Sequence, residues 1–389
     1  MLKIATFNNI SVKGLERFNR EAYEVASEIG SPDAFLLRSQ KLTSADIPST
    51  VRAIARAGAG TNNVPVDACT ERGIPVFNTP GANANAVKEL VLTALLLSSR
   101  GIINGIAYVN TLDTAQAHES LNALLEKEKK QFKGQEIKGK TLGIVGLGAI
   151  GSLVADMALS LGMKVLGYDP ALSVEAAWRL SSQVQKMDNL QSLLAKSDYV
   201  TLHLPLLEST RHLLNKDTLQ YLKPGTRLIN FAREGIVDDQ AVVQALESGQ
   251  LAQYIADFPT PALIGRKGVI LMPHIGASTQ EAEENCAIMA ADQLKDFLEN
   301  GNIKNSVNFP SVQLERTEGY RIGLVNKNVP KMLGQVLSVL ADNNLNVIDM
   351  LNKSRDAVAY NLIDVDTKPS DNVIDALRKI DGVINVHCF

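Results

Sequence analysis

The 389-residue chain is 45% hydrophobic and 21% charged with a formal net charge of −3, the balance of a globular protein with room for two to three domains. That charge excludes any strong expectation of nucleic acid or an anionic membrane as partner. The opening residues Met1-Leu-Lys-Ile-Ala-Thr-Phe-Asn-Asn lack the basic region and long apolar core of a signal peptide, and no apolar run reaches the roughly 18 residues of a membrane span. Three scattered cysteines, Cys69, Cys286 and Cys388, show neither metal spacing nor a disulfide framework. Reduced thiols in a cytoplasmic protein without a metal are expected.

In chain order, residues 1–99 alternate short strands (3–7, 34–37, 53–57 and 75–77) with helical stretches and end in a helix over Ala84–Ser99. The segment Ala53-Ile-Ala-Arg-Ala-Gly-Ala-Gly-Thr-Asn-Asn-Val64 reads as a strand feeding a Gly-rich turn. There Arg56 and the backbone N–H groups from Gly58 onward suit a small anion such as phosphate. Asn78-Thr-Pro-Gly-Ala-Asn83, just before the Ala84 helix, is another candidate wall of the cleft.

The charged stretch from His118 to Lys133 reads as a surface or dimer-arm helix. Beyond it, Lys140-Thr-Leu-Gly-Ile-Val-Gly-Leu-Gly-Ala-Ile-Gly151 predicts a strand, a G-x-G-x-x-G turn (Gly146, Gly148, Gly151) and a helix from Ser152 to Leu161. A second strand then ends at Asp169. Those glycines permit a tight turn, close approach of a pyrophosphate and close helix–strand packing, while the helix N-terminus supplies free N–H groups. Asp169 is placed to accept hydrogen bonds from the adenosine ribose. With Pro170 next and no Arg or Lys beside it, NAD is favoured over NADP.

Six strands of this kind, 141–145, 164–168, 199–202, 227–230, 254–257 and 268–272, fit one doubly wound parallel sheet. Leu228-Ile-Asn-Phe-Ala-Arg-Glu-Gly-Ile-Val-Asp-Asp239 puts Arg233 just past a strand's carboxyl end, where its fork of donors can bind a carboxylate. Leu271-Met-Pro-His-Ile-Gly-Ala-Ser-Thr279 puts His274 past another, as a candidate proton acceptor. His203 follows a third strand end on the cofactor's side, whereas His118, His212 and His387 read as surface or packing residues. A helix over 280–300 is expected to cross back to the first block. The domain reading is therefore 1–99 with 291–310, then 100–290, then 319–389. The last block reads strand, helix, strand, strand, helix, strand, a ferredoxin-like order.

These segments together (RAGAGTNNV, NTPGANANAVKEL, GIVGLGAIG, GYDP, HLPL, NFAREGIVDD and PHIGAST) resemble the D-isomer-specific 2-hydroxyacid dehydrogenase family, and the last block resembles an ACT domain. The resemblance implies an α/β fold of two Rossmann-like domains plus a ferredoxin-like regulatory domain, and an NAD-dependent oxidoreductase assembled as a homodimer or homotetramer. It implies oxidation of D-3-phosphoglycerate to 3-phosphohydroxypyruvate, the entry to serine synthesis. The open alternatives are an unphosphorylated 2-hydroxy acid as substrate, or an NAD(H)-sensing binding protein. Carried over by position, Arg233 and His274 would be catalytic, and Arg56, Gly58 and Asn83 would bind substrate with them. Thr79, the glycine turn with Ala149 and Ile150, Asp169, Leu204, Phe231 to Arg233, Asp257, His274, Gly276 and Ala277 would border NAD.

The chain departs from the pattern in several places. The Glu that usually orients the catalytic imidazole is absent from Ala256-Asp-Phe-Pro-Thr-Pro261, so either Asp257 takes both roles, or a carboxylate from elsewhere serves, or His274 works unassisted; a purely cofactor-side role for Asp257 is favoured. Glu234 replaces a usual Gly. In the last block Asn328 and Asn346 match polar positions that hold L-serine in such modules. A frequent His there is Asn326 and a usual Pro-Gly is Pro330-Lys331, so serine as an effector stays open.

Overall fold

A computed structural model describes residues 1–114 and 117–389. The first sheet contains β1 (Leu2–Phe7), β2 (Tyr23–Ala26), β3 (Ala34–Leu37), β4 (Ala53–Arg56) and β5 (Val76–Phe77), in the order β2-β1-β3-β4-β5. Every pair is parallel. The runs Ala-Phe-Leu-Leu in β3 and Ala-Ile-Ala in β4 are buried throughout, as expected of parallel strands covered on both faces. Helix Gln280–Asn300 supplies one cover, setting Ala290, Ala291, Leu294 and Phe297 among Ile4, Leu36, Ala53 and Ala55.

The second sheet comprises β6 (Thr141–Val145), β7 (Lys164–Tyr168), β8 (Gln185–Lys186), β9 (Tyr199–Leu202), β10 (Thr226–Asn230), β11 (Leu251–Ala256) and β12 (Val269–Leu271). Its order is β12-β11-β10-β9-β6-β7-β8, and all pairs are again parallel. The winding reverses between β6 and β9, so a crevice opens beyond their carboxyl ends. Helix Ala84–Ser99 belongs to this sheet's core, with Val87, Val91, Ala94 and Leu95 packed among Ile144, Val154, Ile229 and Ile255. The compact units are accordingly Met1–Asn83 with Thr279–Phe389, and Ala84–Ser278. The boundaries read from sequence, 99/100 and 290/291, therefore move to 83/84 and 278/279. The cause is the helix's apolar stripe, whose partners lie downstream rather than upstream. Among the described residues no single helix is long and apolar enough to cross a membrane.

The third sheet, β13 (Tyr320–Lys327), β14 (Val347–Arg355), β15 (Val358–Val365) and β16 (Val383–Cys388), is antiparallel in the order β14-β15-β13-β16. Helices Met332–Asp342 and Asp371–Arg378 complete the ferredoxin-like order. A fully buried ion pair clips this module to the chain that leads into it. Arg321 donates from Nε to Asp364 Oδ1 at 2.6 Å and from Nη2 to Oδ2 at 2.8 Å. Its remaining bonds reach the carbonyls of Asn300, Leu314 and Glu315. A buried charge pair is tolerable when every donor is satisfied in this way. The Tyr360 hydroxyl donates to the carbonyl of Gly301, which ends the long helix, at 2.7 Å.

Candidate active site

At the reversal point of the second sheet the glycine turn behaves as its spacing requires. Gly146 has φ +93°, and a Cβ there would press on the His203 carbonyl at 2.5 Å. A Cβ on Gly151 would collide with the carbonyl of Gly146, whereas one on Gly148 would meet nothing within 4 Å. The middle glycine thus faces open space, as close approach of a pyrophosphate demands. Helix Ala149–Ser160 starts at Gly148 with no side-chain cap, leaving first-turn N–H groups, Ala149 and Ile150 among them, for phosphate oxygens. Asp169 lies just past the carboxyl end of β7. Its Oδ2 accepts from Leu147 N at 2.9 Å and its Oδ1 from Ala171 N at 3.0 Å. Each carboxylate oxygen has a second lone pair, so ribose hydroxyls remain acceptable partners.

Four more strand ends deliver the remaining groups to the same carboxyl edge. Beyond β9 lie His203 and the half-buried Leu204. His203 Nε2 is 3.0 Å from Thr201 Oγ1 and its Nδ1 is buried without a partner. Burial pushes the imidazole's pKa down to about 3, so it stays neutral. Beyond β10, Phe231 and Ala232 are buried and Arg233 is half-buried. Asn230 shapes this turn, accepting from Ala232 N at 3.1 Å and donating to the Arg233 carbonyl at 3.0 Å. Arg233 Nη1 donates to the Ala232 carbonyl at 2.6 Å. Burial lowers the guanidinium from its ordinary value, yet an arginine remains charged in proteins.

Beyond β11 and β12, Asp257 turns its carboxylate onto the backbone of the next loop. This carboxylate, 1% exposed, accepts from Ile275 N at 2.8 Å with Oδ1 and from Gly276 N at 2.6 Å with Oδ2. It holds the backbone of the loop that carries His274 rather than the imidazole. His274 itself has φ +57°, a left-handed conformation uncommon for a non-glycine residue. Its ring lies exposed, 5.0 Å from that of Phe258 and tilted 60° to it. Gly276 is buried and Ala277 half-buried in the same loop, and Glu234 is exposed on its own. Sequence reading missed Asn230 and Phe258. Asn230 is the first residue of the NFAREG turn, a position from which an Asx side chain can bond backbone two residues on.

In the first unit a second cluster forms at the carboxyl end of β4. Arg56 Nε donates to the Arg38 carbonyl at 3.0 Å. Gly58 has φ +153°, and a Cβ there would collide with Arg56 Nη1. Thr79 N donates to the Gly58 carbonyl at 3.0 Å, and Asn78 Nδ2 to the Ala59 carbonyl at 2.6 Å, so the two loops are stitched together. Thr79 Oγ1 and Asn83 Oδ1 are buried with no partner. In the third sheet's module Asn328 and Asn346 are exposed, while Asn326 is 3% exposed and accepts from Asn361 Nδ2 at 2.7 Å. Lys331 takes a left-handed conformation, φ +74°, before helix Met332–Asp342.

Comparison with known proteins follows the same outline. The profile of the D-isomer specific 2-hydroxyacid dehydrogenase NAD binding domain matches residues 102–276. The chain is 36% identical over 337 residues to D-3-phosphoglycerate dehydrogenase of Haemophilus influenzae, covering 84% of this chain and 78% of that one. The chain belongs to the D-isomer specific 2-hydroxyacid dehydrogenases. It is also 32% identical to D-3-phosphoglycerate dehydrogenase of Methanocaldococcus jannaschii, over 84% of this chain but 61% of that longer relative. The crystal structure of NAD+-bound 3-phosphoglycerate dehydrogenase of Entamoeba histolytica superposes with a TM-score of 0.62 at 26% identity, over 79% of this chain and 98% of that one.

As a member of this dehydrogenase family the protein is an NAD-dependent oxidoreductase. Its glycine turn and Asp169 fit the cofactor, since the one position a pyrophosphate must approach is the one left open. NAD supplies the hydride acceptor. The protein's side chains must supply the rest of the chemistry, a cation for the substrate's acid group and a group that takes the hydroxyl proton.

Proposed function

We propose that the protein oxidises D-3-phosphoglycerate to 3-phosphohydroxypyruvate in the cytoplasm, feeding serine synthesis. What carries the reading is the common placement of Arg233 and His274, past the ends of β10 and β12, on the carboxyl edge that holds the glycine turn and Asp169. Arg233 forks onto the substrate carboxylate and polarises the adjacent carbon–oxygen bond. His274 takes the hydroxyl proton as the hydride leaves the same carbon. Asp257 keeps His274 presented by tying down Ile275 and Gly276. Arg56, Gly58 and Asn83 bind the phosphate end, so residues 1–83 with the return helix act as substrate domain and residues 84–278 as NAD domain. The module from 319 onward is an ACT-like regulatory unit, with Asn328 and Asn346 as the positions to examine for L-serine.

The protein is a homo-oligomer in this reading. Helix Ile102–Val109 buries no residue and leaves Ile103, Ile106 and Val109 between 42% and 59% exposed, an apolar stripe of the kind a second copy covers.

His274→Asn and Arg233→Ala test the catalytic assignment. Asn tolerates the left-handed backbone at 274, so that loop should survive the first change. Each variant should lose turnover by about 10²-fold or more, the share of a positioned acid–base group, while NADH binding followed by fluorescence stays close to wild type. Near-wild-type turnover in a folded variant removes that residue from the mechanism.

A further inference from the structure

Unsatisfied buried polar atoms mark places where a ligand completes a protein's hydrogen bonding. Nine such side-chain atoms occur among the described residues. Thr79, Asn83 and His203 lie in segments already placed around the active site. Three others, Arg52 Nε and Nη2 and His387 Nε2, belong to two residues that line one separate cavity of about 620 Å³. Arg52 precedes β4 and His387 lies in β16, so the cavity lies between the first sheet and the ferredoxin-like module of the same compact unit. Asp371, Asp375, Arg378, Ile374, Val386 and Cys388 complete its lining.

The charges decide what it accepts. Arg378 Nη1 bonds Asp375 Oδ1 at 3.1 Å, so those two cancel, leaving the Arg52 guanidinium and the exposed Asp371 carboxylate. The Arg52 guanidinium lies 5.1 Å from the Phe389 ring centroid. That contact partly offsets its desolvation but supplies no acceptor for the two N–H groups. Asp33, whose charge acts on Arg52, accepts from Lys3 N at 2.8 Å. Burial and the two arginines keep His387 neutral, with its pKa lowered to about 3. A neutral imidazole nitrogen and an unsatisfied guanidinium together suit a singly charged oxyanion, while Asp371 disfavours a second negative charge.

We propose that this cavity binds a small monoanion through a carboxylate or phosphate group, with Arg52 as its cation and His387 as its neutral partner. The site is distinct from the Arg56 loop. Arg52 and Arg56 stand at opposite ends of β4, four residues or roughly 13 Å apart along an extended strand.

Titration calorimetry of the full chain with sodium phosphate and, separately, with sodium acetate tests this. One saturable site per chain should persist in Arg56→Ala, whose change lies at the strand's other end. In Arg52→Gln its affinity should fall about tenfold or more, the share of a charge-assisted hydrogen bond. Asp371→Asn should tighten it by removing a like charge, a gain that misfolding cannot produce. Binding of phosphate alone or acetate alone identifies which oxyanion is recognised. No saturable binding of either anion, equal affinity in Arg52→Gln and wild type, or no tightening in Asp371→Asn overturns the proposal.

Discussion

Asp257, just past β11, reaches the loop beyond β12 at Ile275, eighteen residues away in sequence. Its two oxygens hold consecutive backbone N–H groups, and the residue just before them, His274, is in the left-handed region. Asp257→Asn replaces one acceptor with an NH2 group that must face an N–H. The loop should relax and turnover fall about tenfold or more, as a charge-assisted hydrogen bond contributes about 1.5–3 kcal/mol. Because the carboxylate addresses backbone, the pH–rate limb assigned to His274 should not move. A limb displaced downward with turnover otherwise intact would show that Asp257 acts on the imidazole. Asp169 is the complementary case. Asp169→Ser should lower the preference for NAD over NADP, measured as the ratio of the two kcat/KM values, since a 2′-phosphate no longer meets a carboxylate. An unchanged ratio would place the ribose elsewhere. Asp169 was legible because strand, glycine turn, helix and second strand occur in one stretch that ends on it. The clamp by Asp257 was not, since no local pattern announces that residues 275 and 276 turn back upon a residue so far upstream.

Among elements, the long apolar strands and the helices with clear starts were read nearly to the residue, and the short or exposed ones were lost. β8 is two exposed residues, Gln185 and Lys186, with no alternation to detect. β2, Tyr23-Glu-Val-Ala, pairs on one side only, with β1, and only Tyr23 is buried in it. Helix Ala84–Ser99 was placed correctly along the chain but assigned to the wrong core, because periodicity tells which face is apolar and not what it meets. At the first helix of the ferredoxin-like module, sequence showed a Lys where a Gly is usual, and the structure shows the consequence. Lys331 occupies a left-handed conformation that costs an L-residue roughly 1–2 kcal/mol. Lys331→Gly should raise unfolding stability by about 1 kcal/mol, after glycine's own entropic cost, as read from the denaturant midpoint. A lower midpoint would mean that the Lys331 side chain makes a compensating contact.

For the whole molecule, two parallel sheets and one antiparallel sheet were foreseeable because strand-forming and helix-forming segments alternate, and because the last block changes that rhythm. The boundaries between units depended on which core claims each helix, and that information is held in packing. Substrate choice belongs to the same scale. Arg56 and its Gly-rich loop lie in one unit, and the redox groups lie in the other. The central claim is that one end of the substrate is a phosphate held by that loop. It is tested most directly by the kcat/KM for NAD-dependent oxidation of D-3-phosphoglycerate against that for D-glycerate, which differs only by the phosphate. A charge-assisted contact that D-glycerate cannot make predicts a preference of about tenfold or more for the phosphorylated acid, and the preference should collapse in Arg56→Ala. Equal kcat/KM for the two acids, or an undiminished preference in Arg56→Ala, would contradict it.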